Sequence, residues 1–155
     1  MNWAIAAGAL ALAAVIAVLP RRLIGQAQDR LAADWIEREG KTIFKLLTRA
    51  ERVAGRYRRI PGVLAFQDDQ LEFTGLHGES EMLPMARVQK IATGKRLASG
   101  RLLFRQEVLR LTRSNGEEIE FVLSPASSHA WRSHLGLWAG RERQAVAAET
   151  VTPGR

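Results

Sequence analysis

The residues able to do chemistry are few and poorly placed for it. The chain has no cysteine, which removes thiol nucleophiles, disulfides and Cys-based zinc sites. Its three histidines are His77, His129 and His134. The last two lie five apart rather than the four that put two imidazoles on one helix face, and no His-Glu-x-x-His run occurs. Glu79 and Glu81 share one face of an alternating stretch, a spacing that suits two carboxylates on an exposed strand edge as well as a catalytic pair. Glu39-Gly40-Lys41-Thr42 ends like a phosphate-binding loop, but the earlier glycine of that loop would fall at Trp35, after a helical pattern rather than a strand. Gly75-Leu76-His77-Gly78 has no helix behind it to cradle a phosphate. The expectation is a protein that is not an enzyme and carries no metal and no cofactor.

The segment that organises the rest is Trp3 to Leu19, WAIAAGALALAAVIAVL, closed by Pro20 and followed by Arg21 and Arg22. It is uncharged, and a helix of about twenty residues covers roughly one hydrocarbon core. A cleaved signal peptide would want a basic start and a small-x-small cleavage site, and Val15-Ile16-Ala17 is a poor one. A buried helix of a soluble domain fits less well with so long an uncharged run flanked by arginines. The reading is therefore a single transmembrane helix in a cytoplasmic membrane. With basic residues only on its C-terminal side, the N-terminus is expected outside and the remaining chain in the cytoplasm.

Charge is unevenly spread. Residues 21–60 hold eleven Lys or Arg against five Asp or Glu, whereas residues 61–124 hold eight against nine. Most of the positive excess of +7 thus sits beside the apolar segment. Without aromatic and basic interleaving there is no nucleic-acid signature, and anionic lipid headgroups explain the placement better.

Residues 21–60 read as a basic helical connector in two pieces, divided near Gly40. In the first, Ile24, Ala27, Leu31 and Trp35 recur at helical spacing. In the second, Lys41 to Arg59, a helix would gather Ile43, Leu46, Leu47, Ala50, Val53, Ala54 and Tyr57 within an arc of about 120°. Lys41, Lys45, Arg49, Arg52, Arg56 and Arg59 would form a separate stripe about 80° wide. That stripe either faces headgroups or is an ordinary solvated face, and the apolar side could pack on the domain or form a helical bundle with other copies.

From Pro61 the period changes to two. Strands are expected at 62–66 and 70–74 around Asp68-Asp69, at 81–85 with Pro84 marking an edge or an end, at 87–91, at 101–105, at 108–113 and at 117–123. A two-residue Asn115-Gly116 loop would set Leu111 against outward Glu120. A three-residue loop with Gly116 left-handed pairs Leu111 with Ile119 and Arg110 with Glu120, the latter an exposed pair worth about 0–1 kcal/mol. Ser124 then suits an N-cap and Pro125 the first turn of a closing helix, with Trp131, Leu135 and Trp138 on its apolar stripe and Gly140 at its end. Residues 141–155 read as a disordered tail.

The hairpin GVLAFQDDQLEF, the central MLPMARVQKI, the late hairpin LRLTRSNGEEIEF and Trp131 on the closing helix resemble a pleckstrin-homology-like domain, in its compact GRAM or bacterial form. The resemblance covers residues 61–140. It implies an α+β domain of about seven antiparallel strands in two orthogonal sheets, capped by a helix whose Trp131 and Leu135 plug the core. Family members that bind phosphoinositides carry basic residues at the first hairpin, whereas Gln67-Asp68-Asp69-Gln70 is acidic. The basic residues of the domain gather instead around Arg87, Lys90, Lys95, Arg96 and Arg101. With Arg21, Arg22, Lys45, Arg49, Arg52, Arg56 and Arg59, these are the candidate lipid- or partner-binding residues. The function expected is a membrane-anchored binding or scaffolding module that recruits a protein partner and touches anionic lipid. Self-assembly through the connector helix or service as a membrane-enzyme subunit are the alternatives.

Overall fold

The computed structural model describes residues 3–39, 46–56 and 58–136, with the side chains of the first helix given for residues 19–38. Helix α1 spans Trp3–Glu39. Seven strands follow: β1 Leu46–Ala54, β2 Arg58–Gln67, β3 Gln70–Gly75, β4 Ser80–Pro84, β5 Val88–Gly94, β6 Glu107–Arg113 and β7 Glu118–Leu123, with a 3-10 turn at Met85–Arg87 between β4 and β5. A second helix, α2, occupies residues 125–136.

The first correction concerns α1. It does not stop at Pro20 but passes through it as one helix of 37 residues, so apolar segment and first connector piece are a single element. Proline forfeits one backbone hydrogen bond here, and the turns on either side carry the helix through. Among the described residues no helix is long and apolar enough to cross a membrane. The described side chains of α1 include Arg21, Arg22, Asp29, Arg30, Asp34, Glu37 and Arg38, too many charges for a lipid-facing span. The side chains of residues 3–18 lie outside the described residues. The expectation of a single-pass protein in a cytoplasmic membrane is accordingly withdrawn.

The second correction concerns residues 46–54, expected as helix and found as strand β1. Leu, Ala, Arg and Glu favour a helix, but only by tenths of a kcal/mol per residue. β1 pairs with β2 along nine residue pairs, from Leu46 opposite Phe66 to Ala54 opposite Arg58, and that ladder overrides the propensity. The expected strand at 101–105 is instead a loop, joined to the opposite arm only by a bridge between Arg96 and Leu102. Seven strands were expected and seven are found, with one lost and one gained.

All strands are antiparallel in one sheet of order β4-β3-β2-β1-β7-β6-β5. The two orthogonal sheets expected from the resemblance are therefore one continuous sheet, because β1 pairs with β7 at Glu51–Val122 and Arg52–Phe121. The sheet curls strongly. Five strand spacings separate β4 from β6, about 24 Å if flat. Yet Arg113 on β6 reaches Glu81 on β4 at 2.7 Å. One core fills the curl, drawn from β2 and β3 (Leu64, Phe66, Leu71, Phe73), from β6 and β7 (Leu109, Leu111, Phe121) and from α2 (Trp131, Leu135).

Local chemistry sets the turns. Asp68 and Asp69 both have positive φ, the requirement of the two-residue hairpin loop joining β2 and β3. The β6–β7 hairpin has the three-residue loop read from its alternation, with Leu111 opposite Ile119 and Gly116 at φ 83°. Pro84 is the last residue of edge strand β4. Ser124 caps α2, accepting the Ser127 amide at 3.2 Å on its hydroxyl, and Trp131 and Leu135 are fully buried as the stripe required. Trp138, Gly140 and the tail 141–155 lie outside the described residues.

α1 packs across the outer face of β1 and β2. Gln28 is buried there and donates its amide to the carbonyls of Ala50 (3.0 Å) and Gly62 (2.8 Å). Beyond it Trp35 is buried, while Ile24, assigned to the same stripe, is exposed. The packing face is thus rotated toward Gln28.

Candidate functional site

The feature not accounted for by folding is the loop 95–106 between β5 and β6. Lys95, Arg96, Arg101 and Arg105 lie in it with no acidic residue, and all four are exposed. Alternation sorts its apolar side chains. Leu97 and Leu103 turn inward and pack with Val108 and Val122, and with Val53, on the outer face of the sheet. Leu102 is 45 % exposed and Phe104, at 87 %, is the most exposed of the exposed large hydrophobic side chains among the described residues.

The loop is held in shape. The Leu103 amide donates to Lys95 O (2.7 Å), the Leu97 amide to Arg101 O (3.0 Å) and the Gly100 amide to Leu97 O (2.8 Å). Glu120 on β7 fastens it to the sheet, accepting from the Ala98 amide at 2.9 Å and from Arg110 Nη2 at 2.6 Å. The Arg110–Glu120 pair was expected on an open solvent face. Instead Glu120 is buried, because the loop folds back over it.

The other candidate cations separate into three groups. Arg49 forks onto Asp29 of α1 and lines two hollows. One, of about 500 Å³, it shares with Arg21 and Arg22; the other, of about 410 Å³ over the point where β1 and β7 diverge, it shares with Arg105 and Gln106. Arg21, Arg22, Arg49 and Arg105 thus belong to one face, which the loop continues. Among the described residues Arg21, Arg22, Lys95, Arg96, Arg101 and Arg105 have no carboxylate partner.

The second group is structural. A helix would have put Arg49, Arg52, Arg56 and Arg59 on one stripe, but a strand sends alternate residues to opposite faces. Arg52 therefore turns inward and meets Glu81 at 2.5 Å. Glu81 also takes Arg113, which holds Glu117 at 2.6 Å. This network draws together β1, β4 and β6 away from the helical cap. Arg59 pairs with Glu51 at 3.1 Å and donates to Gln106. Arg56 lies at the β1–β2 turn beside Gly55, whose φ is 65°. The first hairpin of the sheet is thus a basic one, and Gln67-Asp68-Asp69-Gln70 is the second. Counting it as the first followed from reading residues 46–54 as helix.

The third group is displaced. Arg87, in the 3-10 turn, lies beside the Ser114 end of β6, whereas Lys95 lies beyond the other end of β5, about 20 Å away along the strand. Lys90 is exposed midway along edge strand β5. The expected cluster around Arg87, Lys90, Lys95, Arg96 and Arg101 is split accordingly. Lys45 lies outside the described residues.

The residues first weighed for chemistry do not converge. Glu79 takes Arg58 at 3.4 Å and the His77 amide, Glu81 is engaged by two arginines, and His134 stands edge-on to Phe66 with ring centroids 5.0 Å apart. Among the described residues no three His, Asp or Glu side chains are grouped to hold a metal ion. No protein-family model matches the chain, and a search of curated proteins finds no significant relative. The site therefore rests on its own geometry. Phe104 and Arg105 are the residues that sequence reading missed, since a strand at 101–105 would have buried every second side chain. The available signal was composition: a thirteen-residue stretch, 94–106, with four cations and no acid.

Proposed function

We propose that the chain is a non-enzymatic binding module of pleckstrin-homology-like build, which docks through one cationic face on anionic lipid headgroups. The build is supported by the strand order: a β1–β4 meander and a β5–β7 meander joined through β1 and β7, with Trp131 of a closing helix in the core. The observation that carries the docking is the pairing of charges. On the body of the sheet Arg52, Arg58, Arg59, Arg110 and Arg113 are matched by carboxylates, and Lys90 and Arg87 stand unmatched singly toward its β5 edge, while Arg21, Arg22, Lys95, Arg96, Arg101 and Arg105, unmatched among the described residues, gather on one face. Cations held near an anionic leaflet contribute about 1 kcal/mol each, and the effect is screened within a Debye length of about 8 Å at physiological salt. The alternative of self-assembly through a helix at residues 43–57 loses its basis, since residues 46–54 are a central strand.

Co-sedimentation of the full chain with vesicles of phosphatidylcholine, with and without a third of phosphatidylserine, tests the reading. The comparison between the two compositions cancels any contribution of the apolar N-terminal residues. Tighter binding to the anionic vesicles is expected, lost at high salt. The combined Lys95→Glu, Arg101→Glu, Arg105→Glu variant should reduce the preference by about a hundredfold. Equal binding of the wild-type chain to both compositions would overturn the proposal.

A further inference from the structure

We infer that the β5–β6 loop is a wedge, placing Leu102 and Phe104 below the phosphates of an anionic bilayer while Lys95, Arg96, Arg101 and Arg105 engage the phosphates around them. The wedge presupposes the docking proposed above and names the part of that face that enters the lipid.

Three observations carry it. A phenyl ring 87 % exposed on a loop that buries Leu103 to 5 % is not a core residue displaced by poor packing; the loop has chosen which side chains to bury. Leu102 and Phe104 flank that inward residue and so project together away from the sheet. The loop is also ordered before any partner arrives, by its cross-loop amide bonds and by buried Glu120 on the Ala98 amide. The entropy of presenting an aromatic tip is therefore already spent in folding.

The choice of lipid over an acidic protein follows from the tip itself. Cationic stems that surround an apolar tip lie along the headgroup region with their charges at phosphate level, while the apolar residues reach the acyl boundary. A protein interface would instead offer mixed charges at its rim around a pocket for the ring. Here the loop that carries the two apolar side chains holds four exposed cations and no acid.

The chain has no cysteine, so an introduced one is unique. Full-length Leu102→Cys and Ser114→Cys would each carry an environment-sensitive nitrobenzoxadiazole probe. Ser114 sits beyond the other end of β6, about 23 Å from the loop along the strand. With phosphatidylserine vesicles the probe at position 102 should shift to the blue and be quenched by a nitroxide high on the acyl chain, while the probe at 114 should do neither. Phe104→Ser, with unfolding unchanged, should weaken anionic binding by about tenfold. Vesicle binding with an unshifted probe at 102 would overturn the wedge and leave electrostatic docking intact. A shift at 102 as large on zwitterionic vesicles would remove the cations from the site. No preference for anionic vesicles at all would remove the docking and the wedge together.

Discussion

Glu117 and Glu120 sit three residues apart on the same hairpin arm and do different work. Glu120 is buried beneath the loop and satisfied by Arg110 and the Ala98 amide. Glu117 is in the open, where hydrogen bonding to Arg113 and then that guanidinium's charge hold its carboxyl below the usual carboxylate range. A depressed folded pKa means that the ionised group adds stability above its unfolded pKa and that this contribution is lost as pH falls through the folded value. Wild type and Glu117→Gln should therefore differ in stability at neutral pH and converge in acid, below the ordinary carboxylate range. The difference is small because the site is exposed, and denaturation midpoints compared across pH would read it. A gap that widened in acid would contradict the assignment. At this scale the sequence was legible where neighbours on one hairpin decide the outcome: the Arg110–Glu120 and Leu111–Ile119 pairings follow from alternation. The burial of Glu120 was not, because it depends on a loop that leaves the sheet and returns over it.

Among the elements, β1 is where local preference and tertiary pairing disagree most. LLTRAERVA has an amphipathic helical period, and nothing in those nine residues announces that Arg58–Gln67 will pair with them. What commits them is the partner strand, together with a backbone approach that only glycine permits. Gly62 lies opposite Gly75 in the β2–β3 ladder and opposite Ala50 in the β1–β2 ladder. A Cβ at Gly62 would stand 2.2 Å from the Thr74 carbonyl and 2.7 Å from the Phe73 ring. The first neighbour is backbone and cannot step aside. Gly62→Ala should destabilise by about 3 kcal/mol, at the upper end for overpacking, in urea unfolding. A loss under about 0.5 kcal/mol, within the range of an ordinary surface substitution, would mean the strands separate more easily than this ladder implies. The loop 95–106 is the converse case. Its apolar run resembles a strand, but beyond the single bridge between Arg96 and Leu102 it joins no ladder, and it settles on the outer face through Leu97 and Leu103.

In the whole molecule two closures hold the curled sheet. α2 caps it with Trp131 and Leu135, and away from that cap Glu81 gathers Arg52 and Arg113 across strands that would lie far apart in a flat sheet. Removing Glu81 leaves two arginines facing each other. Fully buried pairs lose about 3–5 kcal/mol on such a truncation, and these arginines retain some water, so Glu81→Ala should cost about 2 kcal/mol. Equilibrium unfolding checks it; a neutral outcome would mean the sheet curls without this latch. Alternation by itself located strands within residues 62–91 and 107–123 and set the register of the β6–β7 hairpin, and capping chemistry determined the start of α2. Those are short-range properties, set by period, turn residues and caps. The charge count identified an excess of cations but assigned it to a connector outside the domain. Only the tertiary structure decided that 46–54 is a central strand, that β1 joins both halves into one sheet, and that Arg52 and Arg59 are structural while Arg21, Arg22 and the 95–105 cations share a face. Pairing between segments dozens of residues apart has no local signature, because the free energy that selects it comes from surfaces that meet only once the chain has folded.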